Sequence, residues 1–357
     1  MNPLLQDFNT PPFSKISNTD FEPAIKKGIE IAKEEINIIA LNSDKATFDN
    51  TIVALDFSGK KLNRITSIFF NLNAAETDDE LQRIAQEVSP LLSEFSNDIT
   101  LNESLFKRVK SVFDDKKNLD LTPEQEMLLN KRYKSFARNG ANLNETGKTE
   151  LRKIDAQLSK LSLKFGENVL AETNAFEMHL TKEIEVAGLP ESVKEAAHQL
   201  AKEKEKKGWI FTLDYPSYIP FLTYADSREL RKKMAIAAGK KAFQNNDFNN
   251  EKNVLDIVKL RYQRANLLGY KSHAHFVLEE RMAETPENVI EFSNTLLKKA
   301  KPAAEKEFEE LENYAKKIGK IDLLQKWDGA YYSEKLKKEL FDLDDEKLKP
   351  YFKLENV

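Results

Sequence analysis

ELQRIAQEVSPLLSEF, residues Glu80 to Phe95, is the stretch on which the fold class turns. Leu81, Ile84, Val88, Leu91 and Phe95 recur at steps of three or four, which puts one apolar stripe on one face of a helix. The stepping returns in Ile154, Leu158, Leu161, Phe165 and Val169, and again in Val289, Phe292, Leu296, Leu311 and Tyr314. Helix starts are written locally. Thr77 with Glu80, Thr122 with Gln125 and Asp226 with Glu229 have the spacing of capping boxes, in which two side chains satisfy each other's orphan amides. Pro123 and Pro286 follow Thr122 and Thr285 at the first helical position, where a missing N–H costs nothing. The reading is a mainly α, multi-helical chain.

Two short stretches depart from that period. Phe176–Leu180 and Trp209–Leu213 alternate apolar and polar residues, so a small β excursion is expected near 176–180 and 209–213. Between them Leu189-Pro190-Glu191-Ser192 opens a helix expected to reach about Lys207. The segment Asp214–Pro220 holds two prolines, Pro216 and Pro220, and is expected to be irregular. No repeat recurs at a period of about 30 to 50 residues, which disfavours a solenoid. With 357 residues the chain exceeds the usual single core, and the expected sub-blocks are 1–118, 119–224 and 225–357.

The hydrophobic fraction of 40% is enough for a buried core, and 22 Phe and 10 Tyr against 2 Trp predict that much of it is aromatic. Net charge is −4, with basic and acidic residues interspersed, so no basic face marks a nucleic-acid partner. The alternating run Lys202–Lys207 reads as a solvated helix face. No apolar run approaches about eighteen residues, so no membrane partner is expected. There is no cysteine, which removes disulfide and thiol chemistry and suits a reducing compartment. Met1–Leu5 lacks a basic segment leading into an apolar one, so no signal peptide is expected and the expected location is cytoplasmic.

Candidate chemistry is sparse. His273 and His275 lie two apart, and on a helix such residues point in different directions and cannot share an ion as an i, i+4 pair can. Glu279-Glu280 and Asp342 to Glu346 supply carboxylates without a visible partner, and Asp342 or Asp344 is better read as a helix cap. Only 11 glycines occur, with no phosphate-binding glycine loop and no G-x-S-x-G elbow. No catalytic residue and no metal ligand is assigned. Tyrosines are more suggestive: Tyr215, Tyr218 and Tyr224 surround the two prolines, and Tyr331 and Tyr332 follow Trp327. Such rings either line a peptide groove, packing side chains and hydrogen-bonding main chain, or fill a junction between helices. Tyr215, Tyr218, Tyr331 and Tyr332 are the candidate substrate-contacting residues.

Taken in order, several stretches resemble one family. They are NPLL at Asn2–Leu5, NTIVAL at Asn50–Leu55, FFNLNAAETDDELQR at Phe69–Arg83, NGANL at Asn139–Leu143 and LSKLSLKFGENVL at Leu158–Leu170. AGLPESV at Ala187–Val193, PSYIPFLTYADSRELR at Pro216–Arg231, RMAETPENV at Arg281–Val289, WDGAYYSEKL from Trp327 and FDLDDEKLKPYF from Phe341 complete the set. Together they resemble the zinc-dependent oligopeptidases, a family that includes thimet oligopeptidase, oligopeptidase A and bacterial peptidyl-dipeptidase. The first and last pieces look nearest the peptidyl-dipeptidase branch.

The resemblance implies a two-lobed helical fold whose halves enclose a channel, and hydrolysis of short, unstructured peptides. It also implies zinc held by an HExxH helix and a glutamate from a later helix. Here His179 is followed by Leu, His198 by Gln, His273 by Ala and His275 by Phe, so that motif is lacking. The aromatic-rich run Trp327–Val357 stops without a glycine or polar tail. The expectation is therefore the N-terminal, non-catalytic half, truncated before the metal motif and inactive alone. It would hold no cofactor itself, with zinc in the full-length enzyme and the missing C-terminal half as partner. A large exposed apolar patch is expected where that partner docks. The alternative is a freestanding helical module that binds peptides or proteins through its tyrosine-rich region.

Overall fold

Stripe and cap become helix first in α1 (Phe21–Ala40), whose Phe21, Ile25, Ile29, Ile36 and Ile39 all face inward. The structure is a computed structural model and describes residues 2–343 and 345–356. Helices α2 (Ala54–Phe57), α3 (Lys60–Ala75), α4 (Asp79–Thr100), α5 (Glu103–Asp114), α6 (Pro123–Arg138) and α7 (Glu145–Ala175) follow. Strand β1 (Met178–Leu180), α8 (Glu191–Glu203), β2 (Trp209–Phe211), α9 (Tyr215–Tyr224) and α10 (Arg228–Gly239) come next. Then come α11 (Glu251–Leu267), α12 (His273–Leu278), α13 (Pro286–Gly319), α14 (Gly329–Phe341) and α15 (Asp345–Leu348). The mainly helical reading with one small sheet is what the chain adopts.

Two compact units form. One takes the residues up to Glu167 together with Lys252–Glu284; the other takes Asn168–Glu251 and the residues from Thr285 onward. In the first, α1 packs against α3, α4 and α5. Leu81, Ile84, Val88 and Phe95 of α4 are buried against Phe21, Ile25 and Phe69, as their spacing predicts. A second cluster joins Ile36 and Ile39 to Leu105, Val109, Leu129 and Phe136 of α5 and α6. Phe21 and Phe69 meet at 5.1 Å, but aliphatic residues outnumber rings in both clusters.

In the second unit, β1 and β2 pair antiparallel, with Met178 opposite Phe211 and Leu180 opposite Trp209. Helix α8 lies on β2 and ends at Glu203, short of Lys207. Its exit turns through Glu205 (φ 56°) and Gly208 (φ 91°). At Gly208 an added Cβ would sit 2.2 Å from the Leu180 carbonyl, so glycine is required there. Gly188 (φ 84°) is equally constrained, because a Cβ would lie 2.4 Å from the Tyr224 carbonyl oxygen.

Several local expectations are corrected. The Thr122–Gln125 box forms, with amide-to-side-chain bonds of 2.9 and 3.3 Å. For α4, however, Asp78 caps by accepting from the Leu81 amide at 2.7 Å, while Thr77 donates to Asn73. Likewise Ser227, one residue past Asp226, caps α10. In both cases an acceptor one position closer to the helix won the role. Asp214–Pro220 is not irregular. Asp214 accepts from the Ser217 and Tyr218 amides, and α9 runs through both prolines. Pro216 falls in the first turn, where no N–H is needed. Pro220 forfeits one interior bond, a cost of about 3 kcal/mol. Burial of Phe221 and Leu222 offsets it at about 1.5–3 kcal/mol each. Asp342 closes α14 in the left-handed conformation (φ 50°) instead of opening a helix, and Asp344 lies outside the described residues.

Two stripes are only partly covered. On α7, Ile154 is buried and Leu158 and Leu161 half-buried, while Phe165 is 41% exposed. On α13, Leu311, Tyr314 and Ala315 pack toward α14, but Glu287 to Glu310 are exposed throughout, Phe292 at 66%. Amphipathic spacing says which face is apolar and not what covers it.

The second unit is tied together at Asp328, which is 0% exposed and precedes α14. Arg228 donates to its two carboxylate oxygens at 2.7–3.2 Å, Arg231 at 3.2 Å, and the Gln325 amide at 3.0 Å. Arg231, itself buried, also donates to the carbonyls of Ala225 and Trp327. Burial alone would raise the Asp328 carboxyl, but Arg228, the Gln325 amide and Arg231 outweigh it and hold it below its ordinary 3.8.

Asp328→Asn leaves two cations without their counter-charge, and should cost on the order of 3 kcal/mol in urea unfolding at pH 7. A carboxyl whose folded pKa is depressed stabilises fully above its unfolded value, and that stability drains as pH falls through the folded one. The wild-type protein should therefore lose its advantage over Asp328→Asn below about pH 4, and equal stability at pH 7 would refute the assignment. Gly188→Ala should lower stability by about 1–3 kcal/mol through strain at positive φ, read as a drop in melting temperature.

Candidate functional site

Where α9 ends and α14 passes, a cavity of about 320 Å³ opens between Gly188, Tyr224, Asp226, Tyr331, Lys335 and Lys338. The geometry follows from the Asp328 anchor. Tyr331 and Lys335 stand one turn apart on α14, so both reach the same neighbour. The Tyr331 hydroxyl donates to Asp226 Oδ1 at 2.7 Å, and Lys335 Nζ lies 3.7 Å from that oxygen. Lys335 also sits 4.6 Å from the Tyr331 ring centre, and the Arg231 guanidinium 3.8 Å from it. Burial, reinforced by the Asp226 carboxylate, pushes the Tyr331 hydroxyl far above its ordinary value. Tyr331 thus stays a proton-bearing donor at any physiological pH. The cavity offers hydrogen bonds, ammonium groups and an aromatic wall, which suits binding rather than proton transfer.

The four candidate tyrosines occupy different settings. Tyr331 and Tyr332 are 9% and 4% exposed, with rings 5.1 Å apart and nearly perpendicular. Burial raises the Tyr332 hydroxyl. Tyr332 fits only because residue 319 is glycine: a Cβ there would meet its hydroxyl at 1.9 Å. Tyr215 is 79% exposed on the first turn of α9 and does not line the cavity. Tyr218, one turn on, is half-buried, and its hydroxyl is raised by burial and then by Tyr215. Asp226, Arg231, Asp328 and Lys335 escaped the sequence reading. Each looks like an ordinary helix-surface charge, and only the fold shows that Asp226 and Tyr331, 105 positions apart, share a bond.

Zinc needs three or more converging His, Cys or carboxylate ligands. Among the described residues no such group of three exists. His179 Nε2 donates to the Lys207 carbonyl at 2.6 Å and His198 Nδ1 to the Gly208 carbonyl at 3.0 Å. Both imidazoles therefore clamp the turn before β2. His275 Nδ1 meets Ser272 Oγ, on the residue capping α12, at 2.7 Å. The residues present do not fit the metal.

Comparison with known proteins places these features in a family. The model described as Peptidase family M3 matches residues 221–357. Oligopeptidase A of Escherichia coli (strain K12) is 35% identical over 355 residues, 98% of this chain and 52% of its own length. Dipeptidyl carboxypeptidase of the same organism is 34% identical over 363 residues, 100% of this chain and 53% of its own. Thimet-like oligopeptidase of Dictyostelium discoideum is 28% identical over 94% of this chain and 49% of its own. The chain spans about half the length of the curated relatives it matches. It belongs to peptidase family M3, where it corresponds to roughly the N-terminal half of oligopeptidase A and dipeptidyl carboxypeptidase.

Proposed function

We propose that this chain is the non-catalytic, substrate-shaping part of a zinc-dependent oligopeptidase or peptidyl-dipeptidase acting on short, unstructured peptides in the cytoplasm. In this reading it forms one wall of the substrate channel, and its partner is a catalytic part that supplies the metal ligands. The observation that carries it is the exposed apolar face of α13, where Val289, Phe292, Leu296 and Leu297 lie open along a helix that needs a partner. Alignment over nearly the whole chain with only half of each relative supports the same reading. So does a histidine set in which no His is directly followed by a Glu. Because the described residues do not fit zinc, the hydrolytic step is assigned to the companion part and no step is routed through residues here. Tyr215, exposed at the start of α9, and Tyr218, Tyr331 and Tyr332 behind it are the proposed channel-side aromatics. No helix among the described residues is long and apolar enough to cross a membrane.

The chain alone, supplied with zinc, should leave a quenched fluorescent peptide intact. Fused or mixed with a polypeptide covering the remaining length of an M3 peptidase, it should restore cleavage that neither piece shows alone. In that assembly Tyr215→Ala should raise KM with little change in melting temperature. Cleavage by the chain alone would overturn the proposal. A freestanding binding module would instead take up peptides through the tyrosine-rich region at full strength without any companion, and Tyr215→Ala would weaken that uptake.

A further inference from the structure

A second groove lies wholly within the first unit and involves none of the tyrosines above. It spans about 670 Å³, open to solvent, between α3, α4, α7, α11 and α12. Its lining includes the apolar Phe70, Leu92, Leu158 and Phe276, each half-buried. The same lining carries hydroxyls: Ser89 and Ser93 are one turn apart on α4, and Ser159 and Ser162 one turn apart on α7. Among the described residues none of these four hydroxyls has a hydrogen-bond partner, so four donor–acceptor groups face the groove unspent.

Two arginines of α11 flank it, and they differ. Arg264 is committed: its Nε donates to Asp155 Oδ1 at 2.7 Å, Nη2 reaches Asn139 at 3.3 Å, and the guanidinium lies 5.0 Å from the Phe276 ring. Arg261, one turn earlier, has no ion pair or hydrogen bond among the described residues. Helix α12 is held in place. Arg138 of α6 donates to the Phe276 carbonyl and, at 2.8 Å, to Glu279. His273 on α12 is kept neutral by burial and by the nearby Arg261 and Arg264, which lower its pKa. The groove therefore presents one uncommitted positive charge, a neutral imidazole, a ladder of hydroxyls and four apolar side chains, on elements already fixed.

We propose that this groove binds the carboxylate end of a short peptide whose last side chain is apolar, with Arg261 as the anchor for the carboxylate. One free guanidinium matches a monoanion, with its two donors aligned on two oxygens. A phosphate dianion would ask for a second free cation, and Arg264 is already neutralised by Asp155. The hydroxyl ladder suits the amides of an extended chain, and the apolar lining residues the terminal side chain. This site involves one unit only and requires no catalysis, so it stands or falls separately from the hydrolytic reading.

The test is calorimetric titration of the whole chain with N-acetyl-Ala-Phe, with its C-terminal amide and with inorganic phosphate. The acid should bind saturably. The amide, and the acid on Arg261→Gln, should each bind about tenfold or more weakly, the loss expected for one charge-assisted contact. Arg261→Gln should melt with wild type, because this side chain holds nothing else together. Equal binding of acid and amide, an Arg261→Gln protein that binds the acid undiminished, phosphate that displaces the acid at equal concentration, or no saturable binding would each overturn the assignment.

Discussion

A carboxylate with no exposed surface, set between two arginines one turn apart, is the constraint on which the second unit depends. Taking a charge from water costs several kcal/mol per ion, and only good geometry recovers it. Asp328 recovers it through Arg228, Arg231 and the Gln325 amide together. The result is registration more than raw stability, since an apolar substitute of equal volume can be as stable in such positions. With Asp328 fixed before α14, Tyr331 and Tyr332 fall three and four residues on, Tyr331 meeting Asp226 and Arg231 and Tyr332 reaching Gly319 at the end of α13. Arg231 extends the same constraint by holding the Ala225 and Trp327 carbonyls, so the end of α9 and the approach to α14 cannot separate without breaking several bonds.

That dependence explains what could be read in advance. Stripes such as Leu81, Ile84, Val88 and Phe95 were legible because helical period and burial are the same physics, and their residues are buried in the first unit. Strand positions 178–180 and 209–211 were legible because alternation over a few residues has few other meanings. Capping was legible in type but not in register: Thr77 and Asp78 are both competent acceptors, and only the backbone path selects the aspartate. The proline-rich segment misled because the rule against proline in helices has a positional exception for the first turn, and because buried neighbours can offset one lost bond.

The site was less legible for a different reason. Tyr331 and Lys335 share an i, i+4 relation that sequence exposes, but their common neighbour Asp226 arrives from another helix. Gly188 and Gly319 carried a faint signal, as glycines are scarce in this chain, yet what each makes room for, the Tyr224 carbonyl and the Tyr332 hydroxyl, is a tertiary fact. Local patterns report what a residue does to its own helix and are silent about partners a hundred positions away.

Electrostatics then limits what such a site can do. An acid or base useful near neutrality must have its pKa brought close to 7. Around Tyr331, burial and the Asp226 carboxylate move the hydroxyl the other way. At Asp328 the arginines hold the carboxyl ionised, and the histidines on β1 and α8 each give one ring nitrogen to a main-chain carbonyl. Each titratable group with a specific partner is thus committed to holding or orienting something. Apolar α13 residues, by contrast, are left open where a soluble chain would cover them, at about 25 cal/mol for each Å² of apolar surface left in water. The second unit thus carries both a polar site whose charges are spent on holding one another and a helix face that nothing among the described residues covers.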